Sequence, residues 1–500
     1  MTKSENYQSN FPSQKTRYRY VNKFSIVFFL GSLAVYLLTR LIDLPDFPIY
    51  FFTDEAIQTQ HAADLIANGF HSPEGIFLPT YFENGGQYNL SLSVYFQVIP
   101  TLVFGKSIWV TRGTSVLLTL IGATFLGLIL RNHIKSWYWW LGPLVLAVTP
   151  TWFLHSRTAF ETVLMVSMYA GFLYYYLQYR KGNLRDLYPA LIFGALAFYA
   201  YSPGQVIVVV TGLLFLISDA RYHWNHRNTA LKGLVLLAVL AFPYLRFTLN
   251  HQNELAQHLS LLNSYWVRDI PLTEKILTYL TNYLKGFNPF YWFWPRPSLI
   301  ERILPDIKLP VWLFSNQLDL DRHTMKGYGH ILWVTFPFFI GGLIHALKNI
   351  KEPAYRVPLL ATIAAPSGAA VVDWGITRGM VFVIPGVLFT AIGFDKFLGW
   401  LRTKFEIDFR ILRAATFLIL SLASFWMLAD ALKNGPTWYL NYGLDGMQYG
   451  ARQVFNRAEE IASGDPDTTV LVSSTWANGT DVLMRFFADD QPNLQMGNIN

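Results

Sequence analysis

Cysteine is absent from all 500 residues, which excludes disulfides, thiolate metal sites and a cysteine nucleophile. Charge is scarce as well. Asp, Glu, Lys and Arg make up 14% of the chain, against roughly 25% in soluble domains. A chain this poor in charge and 52% hydrophobic is not solvated as an ordinary globular protein. The signatures of soluble enzymes are missing too: no GxxxxGK-S/T phosphate loop, no GxGxxG after a strand, no GxSxG and no HExxH. There is no repeat period and no low-complexity tract.

What the chain has is a series of apolar runs long enough to cross a hydrocarbon core of roughly 30 Å, which takes about 17–25 residues. They fall at 24–42, 109–130, 137–154, 160–178, 188–202, 204–218, 230–248, 331–347, 357–372, 379–397 and 411–429. Aromatic residues, 17% of the chain, cluster at their ends, where interfacial belts form. Arg40 sits where it would snorkel to the interface. The first 23 residues are polar, and no small-residue cleavage site follows the first run, so that run reads as a retained span. The net charge of +7 is spread along span flanks, which argues against nucleic acid as a partner.

A further stretch, 90–104, is about 15 residues long and holds Gln97 and Pro100. Whether it crosses decides the sidedness of everything after it. If it lies along the surface and the N-terminus is cytoplasmic, the inner segments carry Lys15, Arg17, Arg131, Lys135, Arg180, Arg221, Arg227, Lys348, Arg402 and Arg410, while most acids fall outside. That is the distribution the positive-inside rule demands. The expectation is an all-α polytopic membrane protein of about eleven spans. It has a cytoplasmic tail (1–23), a transmembrane domain (24–429) with outer loops at about 43–108 and 250–328, and a small α/β segment (430–500). In that segment, 445–462 and 478–488 read as helices and 468–474 as the single strand of a minimal or incomplete unit.

Chemistry-bearing residues concentrate just beyond the first span, at Thr53-Asp54-Glu55, opening an amphipathic helix. Thr53 or Asp54 capping that helix explains them without function; a general base for an acceptor hydroxyl explains them with it. Arg157, Arg322, His323 and Arg378 lie at expected outer span ends, where a cation can reach a phosphate. Each has a plainer reading: Arg157 pairs with Glu161 at i,i+4, Arg322 belongs to a solvated loop with Asp321, and Arg378 snorkels. The aromatic run at 290–294 reads as an interfacial anchor, and His223 and His226 as part of a solvated basic loop.

The order of motifs resembles the GT-C glycosyltransferases, in particular bacterial protein O-mannosyltransferases and aminoarabinose transferases (glycosyltransferase family 39 type). After Asp54-Glu55 comes Pro79-Thr80-Tyr81-Phe82-Glu83, then Phe104-Gly105-Lys106-Ser107 and Arg112-Gly113-Thr114-Ser115, then Ser156-Arg157 through Glu161, Asp321-Arg322-His323, and Thr377-Arg378-Gly379 with Pro385. The sequence departs from the family at Asn84-Gly85, where a Lys-Pro pair is usual, and at Glu161, where many relatives have Asp. The resemblance implies sugar transfer from a polyprenyl-phosphate carrier to a protein, lipid or glycan acceptor on the non-cytoplasmic side of a bacterial plasma membrane. Asp54 would be the general base of an inverting single displacement. Glu55 and Glu161 would be its catalytic company, and Arg157, Arg322, His323 and Arg378 the phosphate ligands. Glu83 and Tyr81 would orient acceptor or donor. A divalent cation is the one cofactor implied, held by the acids, with no ligand set defined. The competing reading is a transporter or lipid flippase, which would place charges mid-span.

Overall fold

The computed structural model describes residues 14–46, 50–295, 319, 323–435, 449–465, 467–488 and 491–498. The first helix, α1, is Gln14–Leu41. Beyond it stand α2 (Thr53–Ala67), strands β1 (Phe82–Asn84) and β2 (Gln87–Leu90), and α3 (Leu92–Phe104). The transmembrane part continues as α4 (Ile108–Asn132), α5 (Leu141–Ala147), α6 (Pro150–His155), α7 (Glu161–Arg180), α8 (Leu187–Ala200) and α9 (Ser202–Ser218). A short α10 (Ala220–Asn225) leads into α11 (Arg227–Asn250). The second large loop holds α12 (Glu254–Leu261), α13 (Leu272–Lys285) and α14 (Pro289–Phe293). Then come α15 (Phe336–Lys348), α16 (Pro353–Ala364), the short α17 (Ile376–Gly379), α18 (Val383–Phe405) and α19 (Phe409–Asn434). The C-terminal unit comprises α20 (Ala451–Gly464), β3 (Val470–Ser473), α21 (Thr480–Phe487) and β4 (Leu494–Gly497).

Each expected span overlaps helix, although the run at 357–372 is α-helical only to Ala364. Among the described residues, five helices are long and apolar enough to cross a bilayer by length and composition: Phe24–Leu41, Ile108–Asn132, Arg227–Asn250, Ile376–Phe405 and Phe409–Asn434. The run at 137–154 is broken into α5 and α6, the second opening on Pro150, whose missing N–H suits a helix start. The 13 residues of α3 rise only about 20 Å at 1.5 Å each, too little to cross. One face of α3 is buried on α2 and α4, where the Gln97 amide donates to the Thr111 carbonyl at 2.9 Å. The other face leaves Ile99, Leu102 and Phe104 exposed, as a helix seated in an apolar interface requires.

Three features differ from expectation for physical reasons. Arg40 does not snorkel: it is fully buried, donates to Ser156 Oγ at 3.1 Å and to the Ala147 carbonyl at 3.2 Å, and lies over the Tyr36 ring. The aromatic run at 290–294 is core and not belt. Tyr291, Trp292 and Phe293 are buried, with Trp292 stacked on Phe382 at 4.4 Å and donating to the Gly286 carbonyl. The C-terminal unit has a second strand, with β4 parallel to β3 from Val470↔Leu494 to Ser473↔Gly497.

The loops sort into two groups. At one end α2, the hairpin, α12 and the C-terminal unit touch one another. Tyr88 N–H donates to Glu254 at 2.8 Å, His258 bonds Gln87 at 2.7 Å, and Phe51 packs on Phe486 and Phe487. At the other end Asp219 receives Arg180 at 2.9 Å and Arg356 at 2.5 Å, Lys181 reaches the last turn of α4, and Ser136 bonds Asp395. His223 belongs to this second group and is not a solvated residue: its Nδ1 meets the Tyr179 hydroxyl at 3.1 Å.

Candidate active site

The N-terminus of α2 is held from three sides. Its N-cap is Phe52, in extended conformation and without a side-chain cap bond. Neither Thr53 nor Asp54 therefore serves as the cap expected of them. The Thr53 hydroxyl donates instead to the Asn478 carbonyl of the C-terminal unit. Glu55 turns inward and is fully buried. Its two oxygens accept from Arg112 at 2.6 and 2.8 Å, and one also accepts from Ala159 N–H at 2.9 Å. Arg112 in turn donates to the carbonyls of Leu44 and Pro45. One bidentate pair, the strongest geometry available to these groups, thus ties α2 and α4 to the segment after α1 and the turn before α7.

Arg157 does similar work for α1. It is fully buried and donates to the carbonyls of Thr39, Arg40 and Ile42 at 2.7, 3.0 and 2.6 Å, satisfying carbonyls a helix C-terminus leaves open. It lies in the turn before α7 and not within the helix, so the i,i+4 pair with Glu161 is not made. Arg157 thus caps α1, as Glu55 holds Arg112.

Asp54 and Glu161 belong to helix starts that are tied together by Gln58, whose amide donates to the Asp54 carbonyl at 2.9 Å and to the Ala159 carbonyl at 2.6 Å. Asp54 is half-buried in the first turn of α2, and Glu161 opens α7. The charge of Asp54 acts on Glu161, and the neighbouring rings of Phe52 and Phe160 pack at 5.4 Å. Tyr201 is the N-cap of α9. The charges of both Arg378 and Glu161 act on its hydroxyl. Asp54 of α2, Glu161 of α7, Tyr201 at the α8–α9 corner and Arg378 of α17 are therefore within electrostatic reach one after another, Asp54 on Glu161, and Glu161 and Arg378 on Tyr201.

The turn bearing Arg378 is fastened by Asp319. One carboxylate oxygen accepts from Ile376 N–H at 2.6 Å, and the other from Tyr291 at 2.7 Å and His330 at 3.0 Å. These bonds hold the Asp319 carboxyl below its ordinary pKa against the opposing effect of burial. His323 is buried, stacked on His155 at 5.2 Å with Nδ1 3.1 Å from His155 Nε2, and its ring packs on Phe160, the residue before Glu161, at 5.5 Å. Arg322 lies outside the described residues. Glu83 is exposed on β1 with its carbonyl bonded to His61. Tyr81 is buried, accepting from Gln205 at 2.8 Å; neither touches the acid pair, although Gln205 is one turn from Tyr201 on α9. Among the described residues no group of three His, Asp or Glu is placed to hold a metal ion.

Tyr201, His155 and Asp319 escaped the sequence reading. A lone tyrosine at a helix corner and a histidine inside an apolar run carry no spacing signal, and Asp319 counted only as one more outer acid.

The fold has counterparts. The family model for dolichyl-phosphate-mannose-protein mannosyltransferase matches residues 92–247, the stretch that supplies Arg112, Arg157, Glu161 and Tyr201. By sequence, no curated protein matches. By structure the chain is similar to ArnT from Cupriavidus metallidurans, in the apo state (11% identity, TM-score 0.56) and bound to undecaprenyl phosphate (10% identity, TM-score 0.56). Each match covers 96% of this chain and 86% of ArnT. It is also similar to the archaeal oligosaccharyltransferase AglB from Archaeoglobus fulgidus, solved with an inhibitory peptide and a dolichol-phosphate (13% identity, TM-score 0.52, covering 97% of this chain and 65% of AglB). The chain is a polytopic membrane protein with the GT-C fold, the fold of membrane glycosyltransferases.

Proposed function

We propose that the chain transfers a sugar from a polyprenyl-phosphate carrier to an acceptor hydroxyl at the non-cytoplasmic face of the membrane. The observation that carries this reading is the packing of the helix start bearing Asp54 on the helix start bearing Glu161, through Gln58 and the ring pair Phe52–Phe160, with the charges of Glu161 and Arg378 both acting on Tyr201. A displacement at an anomeric carbon needs a base on the acceptor side and positive charge on the leaving-phosphate side. Asp54 takes the acceptor proton as the oxygen attacks. The bond from the anomeric carbon to the phosphate oxygen breaks, and the polyprenyl phosphate departs against Arg378 and His323, with Arg322 assigned to the same task. The configuration inverts, and no glycosyl-enzyme forms. Glu161 orients the acceptor beside Asp54, while Glu55 and Arg157 hold the frame. The undecaprenyl phosphate bound by ArnT and the dolichol-phosphate bound by AglB support this class of donor.

The test is transfer by purified enzyme from a panel of polyprenyl-phosphate sugars, with Asp54→Asn alongside. A general base contributes about 10²–10⁴-fold, and the variant should lose that much while staying folded. Full activity in Asp54→Asn removes the mechanism. Transfer from nucleotide sugars with the lipid-linked ones inert removes the donor class.

A further inference from the structure

His155, the last residue of α6, is fully buried, and its Nδ1 lies 2.8 Å from the Thr151 carbonyl oxygen. A carbonyl only accepts, so Nδ1 of His155 carries the hydrogen, and in the neutral ring Nε2 is an acceptor. His323 places its Nδ1 3.1 Å from that Nε2, with the two rings within 15° of parallel. The hydrogen between them therefore belongs to His323 Nδ1. The other nitrogen of His323, Nε2, carries hydrogen only when the ring is an imidazolium. The opposite polarity would charge His155, which has no exposed surface, whereas His323 keeps 9% of its own. A charge costs less where some water reaches it.

The same turn is tied to the cation on α17. Thr151 N–H donates to the His330 carbonyl at 3.1 Å, His330 Nε2 meets Asp319 at 3.0 Å, and Asp319 accepts from Ile376 N–H, two positions before Arg378. The charges of His330 and Asp319 also act on His155. On another side both imidazoles pack on Phe160, the residue before Glu161, His155 at 5.4 Å and His323 at 5.5 Å. The sugar-transfer reading assigns His323 and Arg378 to the departing phosphate. An ionised phosphate oxygen accepts and does not donate, so His323 serves it only through a nitrogen bearing hydrogen. With Nδ1 committed to His155, that nitrogen is Nε2 of the charged ring.

We propose that His155 is a positioning residue for the phosphate end of the donor. As a neutral acceptor it aims the His323 ring and holds its tautomer, so that a polyprenyl phosphate meets both an N–H and a positive charge at His323 Nε2. The proposal rests on the sugar-transfer reading for the donor class, but it is tested by binding, without transfer.

The experiment is calorimetric titration of the detergent-purified full chain with undecaprenyl phosphate, in wild type and in His155→Gln, His155→Asn and His155→Leu. Gln carries an acceptor about as far from the backbone as Nε2, Asn carries one only at the level of Nδ1, and Leu carries none. Affinity should fall tenfold or more in His155→Asn and His155→Leu and stay within threefold of wild type in His155→Gln. In a His323→Gln background, adding His155→Leu should change affinity less than twofold, because the first residue acts only through the second. Should His155→Leu fail to fold, the two amide variants decide by themselves. The proposal is overturned if His155→Asn binds as wild type, if His155→Gln is as weak as His155→Asn, or if His155→Leu still costs tenfold without His323. A wild-type chain that binds no undecaprenyl phosphate removes the donor class and this proposal together, whereas wild-type binding that His155→Asn leaves unaltered removes this proposal alone.

Discussion

Asp54 and Glu55 are adjacent in the sequence and identical in charge, yet a helix sends their side chains about 100° apart, one toward Glu161 and one into the bundle. Removing the Glu55 charge would leave Arg112 buried without its counter-ion, a change that costs about 3–5 kcal/mol. Glu55→Gln should therefore lower the thermal midpoint in detergent markedly, and Asp54→Asn much less; equal midpoints for Glu55→Gln and wild type would undo the assignment. His61 gives a pH counterpart. It donates to the Glu83 carbonyl at 2.8 Å, and burial lowers its pKa below the ordinary value. The unfolded chain then takes up this proton more readily than the folded one, so stability declines as pH falls through about 6.5, the unfolded histidine value. The slope of melting midpoint between pH 7 and 5 should be shallower in His61→Gln, and an unchanged slope would remove His61 as its source. None of this division of labour was legible in the sequence. The Asp54-Glu55 pair stood out as a pair, but which acid faced the bundle depended on Arg112 and Ala159, 57 and 104 positions away.

Elements differ in how plainly they are written. The spans were readable because each is a long apolar run with basic or aromatic ends. The hairpin was passed over although its cue was present. Gly85 and Gly86 form a two-residue loop with φ of +59° and +79°, the backbone of a type I′ turn, but the strands beside it are only three and four residues long. The second C-terminal strand was missed because Leu494–Gly497 is short and carries no β-branched residue. The role of that unit was not written at all. It closes on α2 through Thr53 and Asn478, through Arg485 with Asp64 at 2.6 Å, and through the Phe51 cluster. Gly479 is the tightest point: its φ is +65°, and a Cβ there would come within 2.3 Å of Thr53 Cγ2. Gly479→Val should push the unit off the start of α2 and reduce transfer at least tenfold while the transmembrane helices keep their far-UV dichroism. Arg485→Ala breaks a partly exposed pair worth about 0.2–1 kcal/mol and should leave transfer nearly intact. Wild-type transfer by Gly479→Val would mean that the unit does not position Asp54.

At the scale of the whole molecule, sidedness follows from one short segment. If α3 crossed, every later loop would exchange faces, and Arg131, Lys135, Arg180 and Arg356 would lie where the positive-inside rule disfavours them. A 13-residue helix cannot cross a core of roughly 30 Å at 1.5 Å per residue, and its exposed residues are apolar along one side only. The end that gathers Arg180 and Arg356 around Asp219 also receives the C-terminus of α4, so the loops at 133, 182 and 350 belong to one face. The loop at 85 and the C-terminal unit belong to the other, joined through α2. A chain with no native cysteine makes the measurement clean. Single cysteines introduced at Asn132, Gly182 and Ile350 should resist a membrane-impermeant maleimide in intact cells and react after permeabilisation. Cysteines at Gly85 and Leu471 should react in intact cells. Labelling of Asn132→Cys from outside, with Gly85→Cys also labelled, would mean that α3 crosses after all. The reverse pattern at all five positions would turn the whole protein over, placing Asp54 and Arg378 on the cytoplasmic side.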